Sequence, residues 1–267
     1  MKFLNTVLLF ASGSMAAMGT AQRRVRMAER LARYQSQPAI MADAPTDSGD
    51  LSASASKSYT ENWAGAVKSK TGLGVSAVQA RIIVPAIGMP KNGTAETDYH
   101  AAAWVGIDGY QCGSSILQTG IDIGIMNGKI TIDAWFEWYP EASHSFDLVV
   151  RPGDTLRLSV KATSKTTGVA TIDNLTSKKS ANHSFTGRLA ALCETDAEWI
   201  VERYHVDDDY VPFADFNTLT FSQCSTIENG KKAGLTDSDV LDLVIDRSLA
   251  ADCNIQNDST LRCDHID

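Results

Sequence analysis

The sequence predicts an all-β fold, a sandwich or a barrel, and three observations carry that reading. Ile130, Ile132, Ala134, Phe136 and Trp138 alternate with Thr131, Asp133, Trp135, Glu137 and Tyr139, the two-residue period of a strand with two unlike faces. Asn127-Gly128 separates that run from the apolar stretch Ile123–Met126, and Asn-Gly is a strong hairpin signal. Turn signals return at Gly72, Gly109, Gly168 and Asn229-Gly230, dividing the chain into many short strands with few helices. At 267 residues the chain suits one large β domain behind a leader.

The leader comes first. Lys2 precedes a short apolar run to Ala11, and small residues follow at Ser12, Gly13, Ser14, Ala16, Ala17, Gly19 and Ala21. That is the layout of a secretory signal peptide, here residues 1–21, cleaved between Ala17 and Ala21. The run is too short for a mature membrane helix, and no later apolar stretch reaches the ~20 residues that one needs. A soluble, secreted, extracellular monomer with no membrane partner is the expectation.

Residues 22–57 read as propeptide and linker. Arg23, Arg24, Arg26, Arg30 and Arg33 face only Glu29, a net charge of +4 over residues 22–33, and 35–57 is rich in Ser, Ala, Asp and Pro. The domain, 58–267, carries 17 Lys+Arg and 28 Asp+Glu, net −11. A basic leader on an acidic body suggests an electrostatically docked propeptide; charge alone leaves a secretory remnant equally open. An acidic chain is a poor polyanion binder, so nucleic acid is not an expected partner.

Within the domain, Leu156, Leu158, Val160 and Ala162 alternate with Arg157, Ser159 and Lys161, a half-buried strand after the turn Arg151-Pro152-Gly153-Asp154. Further strands are expected over 170–175, 198–203 and 218–221, and one short helix over 235–243. Five cysteines cannot all pair within one chain.

The common hydrolase signatures are missing. There is no His-Glu-x-x-His and no Gly-x-Ser-x-Gly. The five histidines lack metal-ligand spacing and read as surface or turn residues, so no metal and no cofactor are expected. Asp47-Ser48-Gly49 is half an aspartic-peptidase motif without a second copy.

Three places could carry chemistry. Asp133, Trp135 and Glu137 share one strand face, and acids flanking an aromatic ring can line a substrate cleft. Glu198 and Glu202 share a face of another strand; pattern alone favours an edge strand with both acids solvated, the alternative being one acid buried with a raised pKa. Gln118 lies in the apolar run Ile116-Leu117-Gln118-Thr119-Gly120. Its amide must find partners, in a neighbouring strand or on an oxyanion.

Six ordered runs together resemble the glutamic peptidases (eqolisins), secreted acid proteases of fungi. They are Asn62-Trp63-Ala64-Gly65-Ala66, Ala103–Gly109, Ile116–Gly120, Asp133–Pro140, Ala197–Glu202 and Val211-Pro212-Phe213-Ala214. The likeness extends over 58–267. It implies two bent antiparallel sheets, concanavalin-like in outline, and hydrolysis of polypeptide substrates by a Gln/Glu dyad. By motif position the dyad falls on Gln118 and Glu202, with Trp104, Asp108, Asp133, Trp135 and Glu137 lining or supporting the cleft. It also implies bridges Cys112–Cys193 and Cys253–Cys263, leaving Cys224 over; precursors of the family likewise carry a signal peptide and propeptide, and the opposite charges of leader and body make inhibition by the chain's own propeptide, released by acid, the expectation. The chain departs from the family at Phe136, where relatives often carry Tyr and one hydroxyl contact is lost, and at 203–210, a short acidic loop without cysteine.

That chemistry is sensible in acid. A Glu can take a proton from water and return it to the departing amine. An amide N–H stabilises an oxyanion without titrating, where His would be permanently charged. The alternative is a carbohydrate-active or carbohydrate-binding sandwich, with Asp133, Glu137 and Glu202 as acids and Trp135 and Trp104 as stacking platforms. Gln118 favours the peptidase, since a paired-carboxylate glycosidase has no need of it.

Overall fold

The computed structural model describes residues 34–46, 57–206 and 209–267. The signal-peptide reading and the Arg-rich stretch lie outside the described residues. In chain order the strands are β1 (Tyr34–Gln35), β2 (Lys57–Thr60), β3 (Trp63–Ser69), β4 (Val75–Ile83), β5 (Tyr99–Ile107), β6 (Ile116–Met126) and β7 (Lys129–Tyr139). There follow β8 (His144–Ser145), β9 (Thr155–Ser164), β10 (Thr167–Asn174), β11 (Lys179–Phe185), β12 (Asp196–Glu202), β13 (His205–Val206) and β14 (Asp209–Tyr210). The last are β15 (Thr218–Glu228), β16 (Lys231–Ala233), β17 (Asp239–Ile245), β18 (Ser248–Asn257) and β19 (Thr260–His265).

The fold is an all-β sandwich. One ladder runs β11-β10-β9-β4-β15-β19-β18-β17-β3-β12-β5-β6-β7-β8 and folds back on itself as two layers. The strand period decides what lies between them. Leu156, Leu158 and Val160 of β9 and Ala134, Phe136 and Trp138 of β7 meet there, with Trp199 and Val201 of β12, in one large apolar core. Arg157 and Lys161 point to solvent. Ile130, at the open end of β7, is 49% exposed. Asn127 and Gly128 take φ of 50° and 67°, the paired left-handed geometry of a two-residue hairpin turn, and β6 and β7 pair in register on either side.

The short helix expected over 235–243 is not formed. Asp239–Ile245 is a strand, antiparallel to β3 and β18 and parallel to β2. Val240, Val244 and Ile245 are β-branched and suit a pleated surface, and Asp246 and Arg247, both at positive φ, turn the chain into β18. The edge position favoured for Glu198–Glu202 is also overturned. β12 lies between β3 and β5, paired on both sides.

Two disulfides cross the structure. Cys253–Cys263 joins the β18/β19 hairpin, and Cys112–Cys193 ties the loop after β5 to the loop before β12. Cys224 is free and buried, and burial pushes its thiol up to about 12. Such a thiol carries almost no thiolate and is inert.

Candidate active site

The side of β3, β12, β5, β6 and β7 that faces away from the core carries a different set of residues. Alternation puts Ala102, Trp104 and Gly106 of β5 on this face. Pairing then aligns Glu198, Gly106, Gln118 and Glu137 in one row across the sheet. Ile200, Trp104, Gly120 and Trp135 form the next row, and Trp63, Glu202, Ala102, Asp122 and Asp133 the third. Gln118 and Glu202 therefore share a face, two strands and two rows apart, with Trp104 between them.

Trp104 sits where only glycine neighbours fit. A Cβ on Gly120 would lie 2.5 Å from the Trp104 Cβ, and one on Gly106 would lie 2.7 Å from the indole ring. Trp63 stands edge-on to the indole at 5.0 Å. Packed this way, the Trp104 Nε1–H donates to Glu202 Oε2 at 2.9 Å. The Ser36 hydroxyl lies 3.0 and 2.9 Å from the two Glu202 oxygens, and the Gln37 N–H lies 3.4 Å from Oε1. Glu202, Gln118, Trp104 and Ser36 are all fully buried. Both amide atoms of Gln118 lack a protein hydrogen-bond partner. A buried amide without partners costs about 1–3 kcal/mol, so folding alone does not account for it.

The carboxyls of this face are unusual. Burial, and then the charge of Glu202, hold Glu137 well above the ordinary Glu range. Burial raises Asp133 to about 7, with a hydrogen bond from Ser145 opposing the shift and the Asp122 charge adding to it. Burial, then Asp196 and Asp108, push Glu198 well up as well. Both Glu198 oxygens lack a hydrogen-bond partner, so the buried, perturbed acid of this strand includes the residue that the motif did not select. At acid pH these three carboxyls are neutral.

Asp108 does separate work. At φ 70° it closes β5, and its carboxylate accepts the N–H groups of Cys193, Glu194, Thr195 and Asp196 at 2.7–3.2 Å. It fixes the start of β12 beside the Cys112–Cys193 bridge and does not stand in the Glu202 row. Phe136 points to the other side, stacked 4.1 Å from His183, so a hydroxyl there would not extend onto this face. His100 is not a surface or turn residue. It is buried on central strand β5, with Nδ1 2.9 Å from Asp122, which also accepts the Tyr204 hydroxyl at 2.9 Å. Elsewhere, Asp215, His265 and Asp267 bring metal-ligating atoms together within 4.8 Å.

Two residues of the site escaped the sequence reading. Asn62 heads the first motif run, but nothing in that run marks its side chain as the one that donates to the Gln37 and Pro38 carbonyls and accepts the Ile40 N–H. Ser36 lies in a Ser/Pro-rich stretch without any pattern.

A profile of the peptidase A4 family matches residues 61–265. The chain belongs to that family, the glutamic peptidases or eqolisins. Aspergillopepsin-2 of Aspergillus niger is 37% identical over 279 residues, covering 97% of this chain and 98% of that protein. Scytalidopepsin B of Scytalidium lignicola is 32% identical over 275 residues, covering all of both chains. A crystal structure of scytalido-glutamic peptidase with a transition-state analogue inhibitor superposes with a TM-score of 0.69 at 35% identity, over 77% of this chain and 98% of that one. This eqolisin is a hydrolase, a glutamic-type acid peptidase, and the carbohydrate-binding alternative is not favoured.

Proposed function

We propose that this eqolisin is an endopeptidase that cuts polypeptides in acid through Gln118 and Glu202, secreted as an extracellular monomer. Residues 1–21 are its signal peptide and 22–57 its propeptide and linker; the mature enzyme is 58–267. The observation that carries the dyad is the contrast on one buried face. Glu202 is oriented by the Trp104 indole at 2.9 Å, while the Gln118 amide has no protein partner.

Glu202 removes a proton from a water, whose oxygen attacks the peptide carbonyl carbon. The oxyanion that forms accepts a hydrogen bond from the Gln118 amide N–H. Glu202 then gives the proton to the departing nitrogen. The C–N bond breaks, leaving a carboxylic acid and an amine. Glu137, neutral in acid, adds no negative charge beside the oxyanion, and Trp135 and Asp133 line the cleft.

Cleavage of a denatured protein at pH 3–5 tests this. Turnover that survives pepstatin and a chelator is expected, and it should be lost in Glu202→Gln. Inhibition of the wild type by either reagent would count against the reading.

A further inference from the structure

Four Asn-x-Ser/Thr triplets stand at Asn92, Asn174, Asn182 and Asn257. This is the acceptor pattern for N-linked glycans on chains that pass through a glycosylating secretory pathway. The structure sorts the four. Asn174 is fully buried. Its amide nitrogen donates to Asp154 Oδ2 at 2.8 Å and to the Val149 carbonyl at 3.3 Å, and its oxygen accepts the Ser177 N–H at 2.9 Å. The hydroxyl of that triplet is in use as well, with Thr176 Oγ1 accepting the Thr155 N–H at 2.9 Å. Asn174 ties β10 to the turn before β9, and a sugar on its nitrogen would break the tie.

The other three asparagines are exposed. Asn92 lies in the turn that the Gly93 N–H closes on the Pro90 carbonyl at 2.8 Å, and Asn257 ends β18 at its turn into β19. Asn182 differs from both because it sits in the middle of a strand. That strand, β11, pairs with β10 through all seven of its residues, and among the described residues no strand lies on its other side. Its inward residues are accounted for: His183 stacks 4.1 Å from Phe136, and Phe185 joins the core. Asn182 and Ser184 are exposed on the opposite face, so the acceptor nitrogen and the hydroxyl of the triplet share the outward side.

An open edge of this length is a template for another extended chain. Lys178 and Lys179 guard its start, but Ser180 to Phe185 contains no Lys, Arg, Asp or Glu. An enzyme that works among extended polypeptides meets such chains constantly. We propose that Asn182 carries an N-linked glycan that shields the open edge of β11, and that Asn174, within the same triplet pattern, stays bare because its amide is structural. The proposal rests on the reading of this chain as secreted. The co-reactant is a lipid-linked oligosaccharyl diphosphate. Asn182 Nδ2 bonds to its anomeric carbon, the bond from that carbon to the diphosphate oxygen breaks, the lipid diphosphate leaves with the electron pair, and Nδ2 gives up one proton.

The test is peptide mapping of the full chain secreted from a filamentous fungus, after an endoglycosidase that leaves one N-acetylglucosamine on each occupied asparagine. The peptide with Asn182 should carry that sugar and the peptide with Asn174 should be bare. Asn182→Gln and Ser184→Ala should each remove one glycan, with kcat and KM on a short peptide unchanged. At pH 4 both variants should aggregate about threefold faster or more by light scattering, because the uncovered edge recruits a second copy. A secreted chain with Asn182 bare, or with a glycan on Asn174, overturns the proposal and leaves the peptidase reading standing. Wild type retained inside the cell overturns the reading of secretion and the proposal with it. An aggregation rate unchanged in both variants overturns the shielding role.

Discussion

The two faces of β5, β6, β7 and β12 come from the same strands and the same alternation, yet they differ in kind. The inner face, with Ala134, Phe136, Trp138, Trp199 and Val201, packs against the second layer and carries apolar atoms almost throughout. The outer face buries tryptophans equally well but sets among them Gln118, Glu137, Glu198 and Glu202. Burying polar groups without full partnership costs stability. A site of this kind is recognised by apolar packing that surrounds polar groups it does not satisfy.

Mutation should separate the faces cleanly. Glu202→Gln and Gln118→Ala are each expected to lower kcat at least ~10²-fold with the thermal midpoint little changed. Leu158→Ala, on the inner side, should instead cost about 2–5 kcal/mol of stability and leave the kcat of folded molecules intact. Steady-state kinetics beside thermal melts checks both, and a matched loss of stability in the outer-face variants would erase the distinction.

The disulfides sharpen the same contrast. Replacing either pair by serine should cost about 2–5 kcal/mol. Only loss of Cys112–Cys193, which with Asp108 fixes the start of the Glu202 strand, should also reduce kcat. Equal kcat losses from both pairs, measured below the melting transition, would show that the bridges do not distinguish the site from the frame.

The outer face also dictates how stability follows pH. Asp133 is raised from 3.8 to about 7 in the folded protein, so the folded state holds that proton more tightly than the unfolded chain does. Its contribution is complete below pH ~4 and is lost as pH rises through about 7. Glu137 and Glu198 shift in the same direction. The melting temperature should therefore fall from pH 4 to 7, and Asp133→Asn should remove up to about 4 kcal/mol of that decline. A pH-independent difference between mutant and wild type would refute the assignment. The smallest effect is expected at Cys224, on the inner side. Its thiol should be silent to a thiol reagent until the protein unfolds, and Cys224→Ala should cost on the order of 1 kcal/mol.

What was legible in the sequence follows from the range of each signal. The 130–139 alternation states which side each residue takes, and the outer face it assigns is the one that carries Asp133, Trp135 and Glu137 here. Asn127-Gly128 marks a turn through backbone sterics alone. Alternation does not reveal which strands lie alongside, and so Glu198 and Glu202 looked like an exposed pair when they are central. Val240, Leu243 and Val244 stand at helical spacing, but β3 and β18 claim the hydrogen bonds of that segment. Ser36 meets Glu202 across 166 positions, and no local pattern encodes a contact of that length.

The ladder of this sandwich is continuous from β11 to β8, and that matters for an enzyme that destroys other proteins. A peptidase cleft needs a partner chain that is extended and whose amides are unclaimed. Among the described residues this ladder ends at β8 and β11, with β2 and β16 paired beside it on one side each, and every long strand between the two ends already has both neighbours. One end, β8, is two residues long, and the other begins at Lys179, a charged start that discourages further pairing. The body thus presents its own kind with little that can be threaded into a cleft, so molecules concentrated in acid are poor food for one another.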